Sequence, residues 1–160
     1  MADETNQNGV DLAEFIATVG LRHAYRLSYL TSAIVTAGYD AVKRETGLIR
    51  GEYLLLLCLS HQPVLTAQDV ARMTRRPRNT ISRAVHRMLD EGYIDRAPDP
   101  SDGRQAKLTI TDKGRAMQAR IERILSEREE EVVAPLSGDE HAALDAILQK
   151  LARHAATLPD

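Results

Sequence analysis

The chain has 160 residues, of which 43% are hydrophobic and 4% aromatic, and its 21 Lys and Arg against 23 Asp and Glu give a net charge of −2. This length suits one domain with an elaborated interface, and the composition favours a helical core of Leu, Ala and Val. A single cysteine excludes an intramolecular disulfide, the acidic start lacks the features of a signal peptide, and no apolar run has membrane-spanning length. We therefore expect a cytoplasmic protein with no membrane segment.

The first part of the chain predicts helices that need a partner. Residues 1–10 are polar and predict a flexible tail, and Asp11 can cap a helix that begins at Leu12. One long helix is predicted from Gly20 to Glu45, with a break near Gly38. Apolar residues follow two sides of this helix, and both sides must be covered. In so small a protein, a second subunit is the expected cover.

A buried helix is predicted next, after the glycines at 47 and 51 interrupt the pattern. It runs from Glu52 to Ser60 through a series of leucines, which indicates burial on most sides. Pro63 ends it, because proline disfavours helix in the residue before it.

The stretch from Thr66 to Gly92 predicts two helices joined by a tight turn. Thr66 can cap the first helix, with Asp69 at the spacing of a capping box. The turn spans Thr74 to Pro77. The second helix carries one apolar stripe, made of Ile81, Ala84, Val85, Met88 and Leu89.

The opposite side of the second helix is basic. Five arginines and no acidic residue lie between Arg72 and Arg83, although the whole chain is slightly acidic. A helix fits the major groove of B-DNA, where arginine binds guanine and asparagine binds adenine. An ordinary solvated basic surface is the alternative interpretation of this helix alone.

A β-hairpin is predicted directly after the two helices. Its strands run from Tyr93 to Ala97 and from Arg104 to Ile110, around a turn rich in Pro, Asp and Gly. A hairpin in this place is typical of a winged helix-turn-helix. Arg104, near the hairpin tip, can enter a minor groove, and an ion pair with Asp102 is the local alternative.

Two helices are predicted at the end of the chain. Thr111 can cap the first, which Pro135 closes, and Ser137 opens the second in a capping box with Glu140. Each helix has one apolar stripe. With the doubly apolar helix near the start, these stripes predict an intertwined helical dimer.

Several motifs resemble those of one family. The run Asp99–Arg115 is similar to the wing and the following helix start of the MarR family of winged-helix transcriptional regulators, and so are Gly92–Arg96 and Thr80–Arg83. The chain departs from the family pattern at Gly103, where many members have a second arginine, and at Pro77, where a capping serine is frequent.

The resemblance implies a mainly α fold with a small β-hairpin wing, a winged helix-turn-helix with an N- and C-terminal helical dimerisation region. The expected parts are a tail (1–10), a helical dimerisation region (11–47 and 111–160) and a DNA-binding region (48–110), intertwined in one domain. The implied function is that of a homodimeric, sequence-specific regulator. We expect a repressor that a small, aromatic acid-type effector releases from a pseudo-palindromic operator.

The expected DNA contacts fall into three groups. Base edges are assigned to Arg78, Asn79, Ser82 and Arg83, with Thr80 in the same binding set. Phosphates are assigned to Arg75, Arg76 and Arg87. The minor groove is assigned to Arg104.

In the resembled family, a small molecule often binds between the dimer region and the winged head. The side chains available there are His23, Tyr25, Arg26, Tyr29 and Tyr53. Arg26 would pair with a carboxylate, and the tyrosines would supply rings and hydroxyls. Interface packing of the tyrosines, and pairing of Arg26 with a nearby glutamate, are the stronger alternatives.

Other chemistry has less support in the sequence. The five histidines lack metal-binding spacings, so neither a metal nor another cofactor is expected. Cys58 lies among leucines and is expected to be an inert thiol. No phosphate-binding loop or nucleophile elbow is present, so the sequence does not favour an enzyme. A redox- or metal-responsive regulator on the same scaffold, and a winged-helix protein–protein adaptor without specific DNA binding, remain the alternatives.

Overall fold

The computed structural model describes residues 11–98 and 106–158, which form eight α-helices, one π-helical segment and one hairpin. The helices are α1 (Leu12–Thr18), α2 (Arg22–Thr31), α3 (Ala37–Thr46), α4 (Arg50–His61), α5 (Ala67–Thr74), α6 (Arg78–Asp90), α7 (Asp112–Val133) and α8 (Gly138–Ala155). The π-helical segment is Ser32–Thr36, and the strands are β1 (Ile94–Pro98) and β2 (Ala106–Ile110). Since α5, α6 and the hairpin follow one another, the predicted winged helix-turn-helix is confirmed.

The long helix near the start is continuous, and the predicted break at Gly38 is wrong. Helices α2 and α3 are joined through the π-helical segment, so the irregularity lies before Gly38. Gly38 itself is helical and buried, and a Cβ there would lie only 2.6 Å from Cδ2 of Leu125. The glycine therefore allows α7 to pack closely on α3 and does not interrupt the helix.

Four of the helices begin at the capping side chains that the sequence predicts. Each capping oxygen accepts a hydrogen bond from the backbone N–H three residues later, and the four capping residues are Asp11, Thr66, Thr111 and Ser137. At Thr66 and Ser137 the acidic residue three positions on returns a bond, which completes the predicted capping boxes.

One hydrophobic core joins the winged head to the long helices. Its largest fully buried side chains include Leu55, Leu56 and Leu59 of α4, Ile81 and Met88 of α6, Leu108 of β2, Ile121 of α7 and Val42 of α3. Because α3 and α7 share this core with α4 and α6, the position of the head is coupled to the direction of the two long helices.

The hairpin is antiparallel and pairs Ile94 with Ile110 and Pro98 with Ala106. Leu65, just before α5, exchanges backbone hydrogen bonds with Leu108 at 2.8 and 3.2 Å. This bridge fixes the base of the wing to the start of the helix-turn-helix. The predicted turn and Arg104 lie outside the described residues.

Helices α1, α2 and α8, and the residue before α2, leave large apolar side chains in solvent. The exposed set includes Leu12, Phe15, Leu21, Leu27, Leu30, Ile147, Leu148 and Leu151. Burial of these side chains against another surface would be favourable at roughly 25 cal/mol per Å². Across residues 11–98 and 106–158, no helix combines the length and the hydropathy needed to cross a bilayer.

Candidate nucleic-acid interface

Helix α6 is held against the core along one side. Ile81, Ala84, Val85 and Met88 are buried there, in agreement with the predicted stripe. This packing leaves the opposite side of the helix facing solvent. The orientation of that side follows from the spacing of apolar residues in the sequence.

Four polar residues form what we call the α6 face: Arg78, Asn79, Ser82 and Arg83. All four are exposed. Within the described part of the chain, no hydrogen bond or ion pair engages the guanidinium groups of Arg78 and Arg83. The donors of these two arginines are therefore available to an external acceptor.

Thr80 does not share this exposure. It is half-buried, and a Cβ on Gly51 of α4 would lie 3.3 Å from its Cγ2. Its hydroxyl lies 3.5 Å from Oδ1 of Asn79. The structure gives Thr80 a packing contact with α4 beside the α6 face.

The turn between α5 and α6 is built around Arg75. Its backbone is left-handed at φ 49°, a conformation that ends α5 sharply. Its Nη2 donates a 2.6 Å hydrogen bond to the carbonyl oxygen of Ala155, at the end of α8. A phosphate would have to compete with that carbonyl, whereas the Arg76 side chain has no such bond in the described ranges.

All three guanidinium nitrogens of Arg87, predicted to contact phosphate, donate hydrogen bonds within the protein, although its side chain is 40% exposed. Its Nε donates to Glu91 at 2.7 Å, and its Nη1 donates to both carboxylate oxygens of Glu52, at 2.9 and 3.0 Å. These acidic partners raise the pKa of Arg87, with the hydrogen bond to Glu91 as the largest cause. The geometry does not favour the phosphate interpretation, because the guanidinium already has its acceptors.

Sequence reasoning assigned no role to Glu52, the one charged side chain that is buried among the described residues. The local signal was weak: Glu52 accepts a hydrogen bond from the backbone N–H of Ile49, three residues earlier, but isoleucine has no side-chain oxygen to complete a capping box. The second function of Glu52, as partner of Arg87, could not be found in this way because 35 residues separate the two.

The aromatic residues among the predicted effector contacts belong to separate ring clusters. The Tyr25 ring packs on Phe15 with centroids 5.2 Å apart and on Tyr29 at 6.3 Å. Tyr53 belongs to a different pair, 5.6 Å from the Tyr39 ring, where burial raises its pKa to about 12. His23 is exposed.

Arg26 pairs with backbone and not with the nearby glutamate that the sequence suggested. Its Nε donates to the carbonyl of Ile16 at 3.0 Å, and its Nη2 donates to that of Ala17 at 3.2 Å. These are carbonyls at the end of α1. Arg26 therefore fixes α1 on α2, since it satisfies acceptors that a helix end leaves free.

Two cavities lie near the helix-turn-helix. The larger, about 1230 Å³, separates the α5–α6 turn from the end of α8, and Arg72, Arg75, Arg76 and Arg78 contribute to its walls. The smaller, about 240 Å³, lies between α5, α6 and the wing and includes Ser82, His86 and Arg96. None of the five predicted effector residues lines either of these two cavities.

Gln118 of α7 is a buried polar residue that sequence reasoning missed. Both polar atoms of its amide are buried, and neither has a hydrogen-bond partner in the described residues. It lies on the buried side of α7 between Gly114 and Ile121. Gln118 lies four residues after Gly114 and three before Ile121, and this helical spacing was the sequence signal that it faces the buried side.

The residues considered for metal or redox chemistry give no support to either. Cys58 is buried, and burial raises the pKa of its thiol, which disfavours a reactive thiolate at neutral pH. Among the residues that the structure describes, no three His, Cys, Asp or Glu side chains are grouped as metal ligands would be.

Comparison with known proteins places this geometry in a family context. The model of the MarR family matches residues 46–105, which include the α6 face. The HTH-type transcriptional repressor Rv2887 of Mycobacterium tuberculosis is 26% identical over 125 residues, covering 78% of this chain and 90% of the repressor.

Solved structures with a similar fold cover most of the chain. The PcaV transcriptional regulator of Streptomyces coelicolor, crystallised with its natural ligand, is 26% identical with a TM-score of 0.64, covering 91% of this chain and 97% of the regulator. A MarR transcriptional regulator of Methanosarcina mazei has a TM-score of 0.72 at 19% identity, covering 82% and 96% of the two chains, and supports the fold alone.

Proposed function

The chain belongs to the MarR family of winged-helix transcriptional regulators, and we propose that it acts as a homodimeric repressor. In this proposal the dimer binds a pseudo-palindromic DNA operator in the cytoplasm, and a small effector releases it.

The observation that carries the proposal is the α6 face. Arginine, asparagine and serine project from one helix that is fixed to the core on its other side. Arg78 and Arg83 have no internal partners in the described chain, so their charge is available to guanine edges. Asn79 can bond adenine and Ser82 either base, while Arg76 and Arg75 are proposed to contact phosphates, with Arg104 in the minor groove.

The exposed apolar residues support a homodimer. They lie on α1, α2 and α8 and in the residue before α2, and a second copy of the chain would cover them. Two-fold symmetry would then present two α6 faces to two half-sites about one helical turn, roughly 34–36 Å, apart. A repressor of this design binds a palindrome because its own symmetry matches that of the DNA.

An effector is proposed by analogy with PcaV, whose structure contains its natural ligand. We propose a small, aromatic acid-type molecule that favours a spacing of the heads different from the operator's. Such a ligand acts only through its different affinities for the two arrangements. The proposed contacts are His23, Tyr25, Tyr29 and Tyr53. Arg26 would join them only by exchanging its bonds to the carbonyls of Ile16 and Ala17 for a carboxylate.

The direct test is fluorescence-anisotropy binding to duplex DNA from immediately upstream of the coding region, titrated with salt and challenged with random duplex. Specific binding at one dimer per duplex, with affinity that falls steeply as salt rises, is the expected result. If no duplex, including duplexes selected from a random pool, binds better than random competitor, the regulator proposal fails and a protein–protein adaptor becomes the better hypothesis.

A further inference from the structure

One guanidinium joins the end of α6 to α4 and to the end of α3. Nε of Arg87 donates to Oε1 of Glu91 at 2.7 Å, at the end of α6. Nη1 donates to Glu52 in α4 at 2.9 and 3.0 Å, and Nη2 donates to the carbonyl of Gly47 at 3.2 Å. All three nitrogens are therefore bonded to this protein.

The carboxylate at the centre of this cluster cannot reach DNA. Glu52 is 3% exposed. Its Oε2 also accepts a 2.7 Å hydrogen bond from the backbone N–H of Ile49, so the same group caps α4 and holds α6. A buried charge with this many bonds is costly to leave unpaired, which makes the arrangement a rigid one.

The third partner connects the cluster to the long helices. Gly47 is the left-handed residue that ends α3, with φ 74°. Helix α3 continues through the π-helical segment into α2, which carries exposed apolar side chains. Arg87 lies in the last turn of α6, the helix that carries the α6 face. Through Gly47 it is thus bonded to the end of α3, and α3 leads to the proposed dimer interface.

We propose that Arg87 is a positioning residue that sets the angle of α6 against α3, and so the distance between the two α6 faces of the dimer. This inference rests on the proposed function and replaces the phosphate contact first assigned to Arg87. Arg78 lies nine residues before Arg87, or roughly 14 Å along the helix axis. A rotation of about 10° at Arg87 would move the Arg78 end by about 2 Å, more than half of the 3.4 Å rise per base pair.

The test compares three variants on DNA that contains two selected half-sites separated by different numbers of base pairs. Arg87→Met removes the charge while it keeps an unbranched chain, and Glu52→Gln removes the buried carboxylate, which cannot contact DNA. Arg83→Met is the matched control, one turn earlier on the same helix and on the α6 face. Affinity is measured at each spacing and over a range of salt, with dimer mass and circular dichroism as checks of folding.

The wild type should prefer one spacing. Both Arg87→Met and Glu52→Gln should shift or broaden that preference. At the spacing that the wild type prefers, their affinity for DNA should fall by at least about tenfold, and the salt dependence of the affinity should stay unchanged. Arg83→Met should lose affinity equally at all spacings. If Arg87→Met does not fold, Arg87→Lys, which retains the charge but loses the forked contacts, should show the same broadening to a smaller degree.

Two results would overturn the inference and leave the proposed function standing. One is a spacing preference that neither Arg87→Met nor Glu52→Gln changes. The other is a salt slope that falls by about 0.9 for each Arg87 removed, which identifies a phosphate contact. Absence of specific binding by the wild type is a separate outcome that removes the proposed function, and the inference with it.

Discussion

Gly114 of α7 lies directly on the carbonyl oxygen of Tyr93, at the base of the wing. A Cβ on Gly114 would overlap that oxygen and would lie 2.7 Å from Cγ1 of Ile110. The same carbonyl accepts hydrogen bonds from the backbone N–H and the hydroxyl of Thr111, at 3.1 and 3.0 Å. The start of α7 is thus fixed on the hairpin by a contact that only glycine permits.

Gly114→Ala should therefore destabilise the protein strongly. Backbone atoms cannot move aside as a flexible side chain does, so we expect a loss of at least about 3 kcal/mol in the free energy of unfolding. Gly138→Ala is the matched control, because a Cβ there meets no atom within 4 Å. Urea unfolding at one protein concentration measures the free energy of unfolding of both variants. Equal values would contradict the overlap between a Cβ at Gly114 and the carbonyl oxygen of Tyr93.

Arg83→Ala should weaken operator binding without affecting the fold. Arg83 is exposed and has no internal partner in the described residues, so its removal should not cost stability. If it bonds a guanine, the loss of specific binding should be about 1–3 kcal/mol. Anisotropy titration against the operator and random duplex measures the difference, and an unchanged operator affinity would remove Arg83 from the proposed α6 contacts.

Leu151→Glu should separate the proposed dimer. Leu151 is 51% exposed on α8 beside Ile147 and Leu148, and a buried glutamate there would face unfavourable desolvation. Arg153→Glu, on the other side of α8, should leave the dimer intact. Light scattering after size exclusion gives the masses, and a dimeric Leu151→Glu protein would show that α8 is not the interface.

The capping box at Thr66 should make the stability of the protein depend on pH. The hydroxyl and the backbone N–H of Thr66 donate hydrogen bonds to the Asp69 carboxylate at 2.7 and 3.0 Å, and these bonds lower the pKa of Asp69. A lowered folded-state pKa contributes stability that is present above the unfolded value and is lost as pH falls through the folded value. The stability difference between wild type and Asp69→Asn should therefore shrink below about pH 4. Thermal unfolding at several pH values tests this, and a constant difference would show that the carboxylate charge is not involved.

Cys58 should be slow to react in the folded protein. Burial raises the pKa of the thiol and restricts access, so labelling by a disulfide reagent at neutral pH should be much slower than in denaturant. Peroxide should leave DNA binding unchanged in the wild type. Loss of binding that Cys58→Ser prevents would instead favour the redox-responsive alternative.

The sequence was sufficient for elements whose cause is local. Thr66, Thr111 and Ser137 cap helices through residues three positions away, and the stripe of α6 follows from its apolar spacing. The winged helix-turn-helix could be predicted because its order of helix, turn, helix and hairpin is written in consecutive segments. The α6 face follows from the same spacing, since a helix buried on one side must expose the other.

Prediction failed where a residue's function depends on distant partners. Gly38 was expected to break a helix, but Leu125 of α7 needs the space that its missing side chain leaves. Nor did the sequence show that Glu52 and Gly47 accept hydrogen bonds from Arg87, with which a phosphate would have to compete. By itself the sequence determined which helices form and which sides they expose, because periodicity and capping act within a few residues. Only the tertiary structure decided which charges remain available, because ion pairs and close packing depend on elements that the chain brings together from far apart.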